Sequence, residues 1–141
     1  MSVVLDSYSR KIAGWSFSDS LASNLVEDAI KTALNRTKKW SKDLLFHSDR
    51  GVQYTSKSDR ILLSESSITA SMSRKENCYD NAKSESFFST HKKEPVNRCE
   101  YKTKRGAKIS IFERIEVFYN KKRMYSALGY KSPVDFEQIN N

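Results

Sequence analysis

The chain has 141 residues, 38% hydrophobic and 11% aromatic, enough for one domain that buries roughly 70% of its unfolded surface. Lys and Arg total 25 against 17 acids, and the excess is uneven: residues 1–85 hold 13 basic and 11 acidic side chains, residues 86–141 hold 12 and 6. A formal charge of +8 points to polyanionic partners, nucleic acid first, and no stretch approaches the ~20 apolar residues of a membrane span.

Val3-Val4-Leu5 and Ile12 to Phe17 are short β-type runs separated by a polar turn, which predicts an antiparallel pair. Asp19 or Ser20 can cap the helix that follows, whose apolar positions Leu21, Leu25, Val26, Ala29, Ile30, Ala33 and Leu34 repeat near 3.6. Lys38, Lys39 and Lys42 close it, and Leu44–His47 reads as a buried strand. Ser56 to Ser66 reads as a short helix and Ile68 to Met72 as another strand.

Ser73 to Asn77 is polar and reads as a loop, after which Asn77 or Asp80 can cap a helix containing Glu85, Phe87 and Phe88. Pro95 ends it, because proline cannot donate the next backbone bond. A basic connector, Arg98 to Lys108, leads to an amphipathic helix with Ile109, Phe112, Ile115, Glu116 and Tyr119. Phe87, Phe88, Phe112 and Phe118 read as core, and Leu128 to Pro133 reads as a turn-rich tail. Strands and helices alternate, an α/β order.

Cys78 and Cys99 form no CxxC pair and His47 and His91 lie far apart, which argues against structural zinc and for free thiols in a cytoplasmic chain. The opening MSVVLDSYSR has an acid inside its short apolar run and does not read as a signal peptide.

The acid that draws attention is Asp49, in His47-Ser48-Asp49-Arg50-Gly51, directly after an apolar run. Asp before Gly is ordinary turn chemistry. It is also where an open α/β sheet keeps its site, at the carboxyl end of a strand. Glu85, separated from it by thirty-five intervening residues, stands near the start of a predicted helix. Two such acids can hold Mg²⁺, a hard cation that takes oxygen ligands and keeps few of them from protein. Taken alone the pair is weak, since a chain with 17 acids offers many spacings.

Four linked segments change the weighing: VLDSYSRKIAGW, HSDRGVQYTS, ENCYDNAKSESFFSTHKKE and FYNKKRMYSALGYKSPVDFE. Together they resemble the integrase-core (DDE) transposases of bacterial insertion sequences, closest to the insertion-sequence 3 family, which are cousins of retroviral integrases. The resemblance covers nearly the whole chain. It implies a ribonuclease-H-like α/β fold, a mixed sheet with flanking helices. It also implies three acids, two divalent ions (Mg²⁺ or Mn²⁺), and attack by water or a 3′-hydroxyl on DNA phosphodiesters.

Carried over by residue, Asp49 matches the second catalytic acid and Glu85 the third, both as metal ligands. Their carboxylates are expected within roughly 4–8 Å of each other, sharing one ion. Lys92 matches the basic residue seven positions after the glutamate, two helical turns and about 10 Å along the same face. It is expected to hold the DNA backbone, as are Arg50, Lys102, Lys104 and Arg105. Tyr54 and Tyr79 are expected to touch DNA. His47, Asn77, Asp80 and Asn81 are expected to orient the acids or pin the Glu85 helix. Asn120 and Arg123 match the last motif, whereas Tyr125 stands where the family usually shows histidine.

In the family the first catalytic Asp lies on a strand upstream of VLDSYSRKIAGW, so the chain is expected to lack that first, central strand. Residues 1–97 then read as a truncated catalytic core, and 98–141 as the basic connector, C-terminal helix and tail of the same domain. The expected function is that of a C-terminal portion of a DNA transposase, inactive alone, acting on transposon ends and target DNA. The competing reading is non-catalytic: a remnant that binds DNA or intact transposase subunits through its basic second part. No membrane partner is expected.

Overall fold

Strands β1 (Ser2–Leu5) and β2 (Ile12–Ser16) are hydrogen-bonded neighbours. The connection between them is too short for a parallel crossover, so they form the expected antiparallel hairpin. Asp6 organises the turn: its carboxylate accepts from the Tyr8 and Ser9 backbone N–H groups, each at 3.0 Å, and from the Ser9 hydroxyl. The Asp6 N–H donates to the Lys11 carbonyl at 2.8 Å and closes the loop. Arg10, inside this turn, has φ of +61°, a left-handed conformation that a residue with a Cβ rarely adopts.

The computed structural model describes residues 1–18, 23–37, 44–48, 57–72, 101 and 103–140. The described chain forms two units. One holds Met1–Val4 and the residues from Ala13 through the fourth strand; the other holds Leu5–Ile12 and the residues from Tyr101 to Asn140.

In the first unit, helix α1 (Ser23–Arg36) buries Leu25, Val26, Ala29, Ile30 and Ala33, the stripe its periodicity predicts. The residues proposed to cap it, Asp19 and Ser20, lie outside the described residues. Against α1 lies Gly14 of β2. A Cβ built there would sit 2.3 Å from the Ala29 carbonyl oxygen and 2.5 Å from the Ala33 nitrogen. Glycine is needed at this position because backbone approaches backbone.

Strand β3 (Leu45–Ser48), helix α2 (Lys57–Glu65) and strand β4 (Thr69–Met72) form a βαβ unit. The strands are parallel, with Leu45 opposite Thr69 and His47 opposite Ser71. The stop of α2 explains the launch of β4. Ser67 takes a left-handed φ of +57°, and the Ile68 N–H reaches back to the Leu63 carbonyl at 2.9 Å. Leu63 and Ile68 belong to one buried cluster, the apolar contact that accompanies such a helix end. Val26 and Ile30 complete that cluster, with Val4, Leu34, Leu44, Phe46 and Leu62 packed around it. The expectation of a buried β3 is corrected: Leu45 is 57% exposed and His47 is exposed, so only alternate residues turn inward. A four-residue apolar run does not reveal which face is covered.

In the second unit Thr103 caps α3 (Lys104–Phe112), accepting from the Gly106 N–H at 3.0 Å. The helix then widens to a π-helix over Glu113–Tyr119. The Asn120 N–H reaches Ile115 and the Arg123 N–H reaches Phe118, both five residues back, at 2.9 and 2.8 Å. Bonding five residues back places more residues in each turn and re-indexes the face. Ile111, Ile115 and Tyr119 are buried, while Ile109, Phe112 and Phe118, all expected inside, are largely exposed. The period of 3.6 read from the sequence does not hold across this stretch.

Ser126–Leu128 forms a 3₁₀ turn that ends at Gly129, with φ of +65°. Leu128 to Ser132 turns as expected, and the chain then enters helix α4 (Pro133–Asn140), which is not among the expected elements. Ser132 caps it reciprocally: its hydroxyl accepts from the Asp135 N–H at 3.2 Å and donates to the Asp135 carboxylate at 2.6 Å. Proline in the first helical position suits this start, so the Ser-Pro-x-Asp signal was present in the sequence.

Asn120 is 2% exposed and acts as a substitute strand neighbour. Its Oδ1 accepts from the Ile12 N–H at 2.9 Å, and its Nδ2 donates to the Ile12 carbonyl at 3.1 Å. The Asn120 carbonyl accepts from the Val134 N–H at 3.0 Å. Glu137 of α4 pairs with Lys11 and accepts from the Ser9 hydroxyl at 3.0 Å, while Phe136 lies 5.2 Å from the ring of Tyr8.

Two stability predictions follow from these contacts. Gly14→Val should destabilise the chain by at least about 2 kcal/mol in urea unfolding, since the added carbons meet helix backbone. Asn120→Ala should cost about 2–4 kcal/mol, because the Ile12 N–H and C=O both lose their buried partner. A loss below about 0.5 kcal/mol in either variant would contradict the corresponding contact.

Candidate functional site

β3 ends at Ser48, and the next residue in sequence is Asp49. This end of a parallel pair is the carboxyl end, where open α/β sheets gather their chemistry. His47, the last-but-one residue of β3, has Nδ1 3.3 Å from the Ser71 hydroxyl on β4. It is exposed. The contact joins the two strands one residue before each ends.

Asp49, Arg50, Asn77, Asp80, Asn81, Glu85, Lys92 and Lys102 lie outside the described residues, as do Tyr54, Tyr79, Phe87 and Phe88. The expected separation of the Asp49 and Glu85 carboxylates therefore falls outside them too. Among the described residues no group of three or more His, Cys, Asp or Glu side chains could hold a metal ion. Nor is any helix among them long and apolar enough to cross a membrane. Asp6, the acid on the hairpin, spends its carboxylate on its own turn.

Of the expected DNA contacts, Lys104 and Arg105 are described. Both are exposed in the first turn of α3, which holds no acid. Two cations stand there at the positive end of the helix dipole, an arrangement that favours an anion nearby and opposes the helix otherwise.

A second basic group was not singled out from the sequence as a cluster. Tyr119 and Tyr125 meet edge to face at 5.7 Å. The Arg123 guanidinium lies 5.3 Å from the Tyr125 centroid and 5.9 Å from that of Tyr119, and Arg10 lies 5.7 Å from Tyr125. Arg114 stacks 4.1 Å over Phe118. Burial first, then a hydrogen bond with Tyr125, pushes the Tyr119 phenol well above its ordinary value. Burial and then the charge of Arg123 lower Arg114 from its ordinary value. Arg10 and Arg123 stand inside the quoted motifs, yet nothing in their separate spacing marks them as neighbours.

The integrase core domain family matches residues 1–78, and a second family of the same description matches residues 85–140. The chain is 43% identical over its full length to a transposase for insertion sequence element IS904 from Lactococcus lactis, covering 55% of that protein. It is 37% identical over 140 residues to transposase InsF for insertion sequence IS3A from Escherichia coli, covering 48% of it. An insertion element IS600 protein from Shigella sonnei is 37% identical over 135 residues, with 49% covered. The chain thus spans about half the length of the curated relatives it matches. A ribonuclease-H-like α/β fold is what an integrase core implies, and the mixed helices and small sheets described above agree with that class. With its family match over more than half its length and its relatives among insertion-sequence transposases, the chain belongs to the integrase core domain family.

Proposed function

We propose that the chain serves DNA transposition, by divalent-metal-dependent cleavage of DNA phosphodiesters and strand transfer at transposon ends and target. The observation that carries this reading is the βαβ unit whose parallel strand β3 stops one residue before Asp49. Asp49 and Glu85 are the metal-holding carboxylates in this reading. Two carboxylates are hard oxygen donors and suit Mg²⁺ or Mn²⁺. The metal, two ions in the complete family site, supplies Lewis-acid activation of the phosphodiester and of the attacking oxygen.

The chain's own residues do the rest. Lys92 and Arg50 hold DNA phosphates beside the acids, and Lys102, Lys104 and Arg105 hold them further off. His47, held against Ser71, steadies the end of β3 from which Asp49 continues. Asn77, Asp80 and Asn81 cap and pin the Glu85 helix. Residues 1–97 carry the catalytic part in this reading and 98–141 the basic connector, helix and tail. Motif matching supplies two acids where the chemistry uses three. The 141-residue chain by itself therefore binds DNA without cutting or joining it. Contact with other transposase subunits is the route by which such a chain takes part.

The test is a strand-transfer assay on labelled DNA ends with Mg²⁺ or Mn²⁺. The chain alone should give no product. A fusion to the portion of the Lactococcus lactis relative that the chain does not match should give product. Asp49→Asn or Glu85→Gln in that fusion should then lower the rate by about a thousandfold or more, since each removes several kcal/mol of charge stabilisation. Fusion activity that survives both substitutions would remove Asp49 and Glu85 from the mechanism.

A further inference from the structure

Two successive residues in the loop after the π-helix take left-handed φ, Gly129 at +65° and Tyr130 at +58°. Glycine adopts that region freely, whereas a bulky residue there is an outlier. The loop is closed on itself. The Tyr125 carbonyl accepts from the Leu128 N–H at 3.0 Å and from the Tyr130 N–H at 2.9 Å, and the Tyr125 N–H donates to the Lys131 carbonyl at 3.2 Å. Leu128 before the pair and Ser132 and Pro133 after it are buried, which pins the loop on both sides.

The Tyr130 side chain does not repay this conformation by packing. It is 73% exposed, and among the described residues its ring joins no aromatic pair and its hydroxyl no hydrogen bond. A single exposed aromatic is ordinary. An exposed aromatic fixed where glycine or asparagine would fit more easily is not, and strain of this kind gathers where a side chain meets a ligand.

The neighbouring residues say which ligand. Residues 120–132 include Lys121, Lys122, Arg123 and Lys131 and no acid. Lys121, Lys122 and Lys131 are exposed, as Tyr130 is. A fixed, exposed ring in a cationic segment suits single-stranded nucleic acid, whose backbone follows the charge while a base lays its face on the ring. Inside a duplex both faces of each base are covered by its stacked neighbours.

We infer that Tyr130 stacks on an unpaired base of single-stranded DNA, with Lys131 next to it taking a backbone phosphate. The inference deepens the proposed DNA function and rests on it for the choice of DNA as ligand. The ring accepts any base, since every base offers a π-face.

The experiment is a fluorescence anisotropy titration of the whole chain, without metal, at several salt concentrations. One labelled probe is a single strand of mixed sequence; the other is the same sequence as a duplex whose ends are closed by linkers that carry no bases. Tyr130→Asn removes the ring while suiting the left-handed backbone, so its thermal midpoint should hold or rise. It should weaken single-strand binding about fivefold or more and leave duplex binding within about twofold. Tyr130→Phe keeps the ring and should bind as the wild type does. On the single strand, Tyr130→Asn should not change the slope of log K against log salt, whereas Lys131→Gln should flatten it by about 0.7. A strand of abasic sites should bind the wild type and Tyr130→Asn equally.

Single-strand binding by Tyr130→Asn equal to that of the wild type would overturn the inference, as would an equal loss on both probes. A loss of binding matched by a fall in thermal midpoint would give the ring a role in the fold and overturn it too. Because no metal is used, these results stand apart from the strand-transfer assay. Wild-type binding to both probes with no effect of Tyr130→Asn would sink only this inference. A wild type that binds neither probe would sink it together with the DNA reading.

Discussion

Ile12 is the first residue of β2, and a strand needs its N–H and C=O paired wherever it is buried. In the second unit that pairing comes from a side chain. The amide of Asn120 offers one acceptor and one donor, and it satisfies both the N–H and the C=O of Ile12. Only a carboxamide does this without burying a charge. The helix that carries Asn120 must then end in the right place. The π-helix does so, since its wider turns set Ile115 and Tyr119 inward and deliver Asn120 immediately after.

Other features follow from that anchor. With the hairpin turn held at Ile12, Lys11 and Ser9 can reach Glu137, and Tyr8 can reach Phe136. Arg10 then lies over Tyr125. Asp6 keeps the turn compact from within, so its carboxylate is structural. The residue that stands in place of the family's usual histidine thus has a describable setting: Tyr125 touches Tyr119, Arg10 and Arg123. A phenol there offers an aromatic face to both guanidiniums and adds no further positive charge.

Local signals were legible in the sequence where the chemistry is local. The hairpin, α1, α2 and β4 follow from alternation, from a 3.6 repeat and from turn residues within a few positions of each other. The helix α4 was equally local, and the Ser132–Asp135 cap was there to read. Harder to see was the open face of β3, because a short apolar run leaves its covered side undefined. The widening of the helix over Glu113–Tyr119, beside an exposed Phe118, is a change in backbone bonding that no residue type announces. Asp49 and Glu85 are proposed from linked motifs, and spacing alone would not have selected them from 17 acids. The arginine cluster joins residues far apart in sequence, and only folding makes them neighbours.

The Asn120 to Ile12 bonds span 108 residues, and that distance sets a schedule for the nascent chain. A ribosome adds about 5–20 residues each second, so Ile12 waits on the order of several seconds to tens of seconds before its partner is made. During that wait β1 and β2 can pair and pack locally, but the buried ends of the Ile12 peptide must remain hydrated. Closing such a long loop carries an entropy that rises only slowly with length, so the cost of the delay is one of time and exposure, not of final stability. Transient shelter for the early hairpin, by a chaperone or by the exit region of the ribosome, would matter most in this interval.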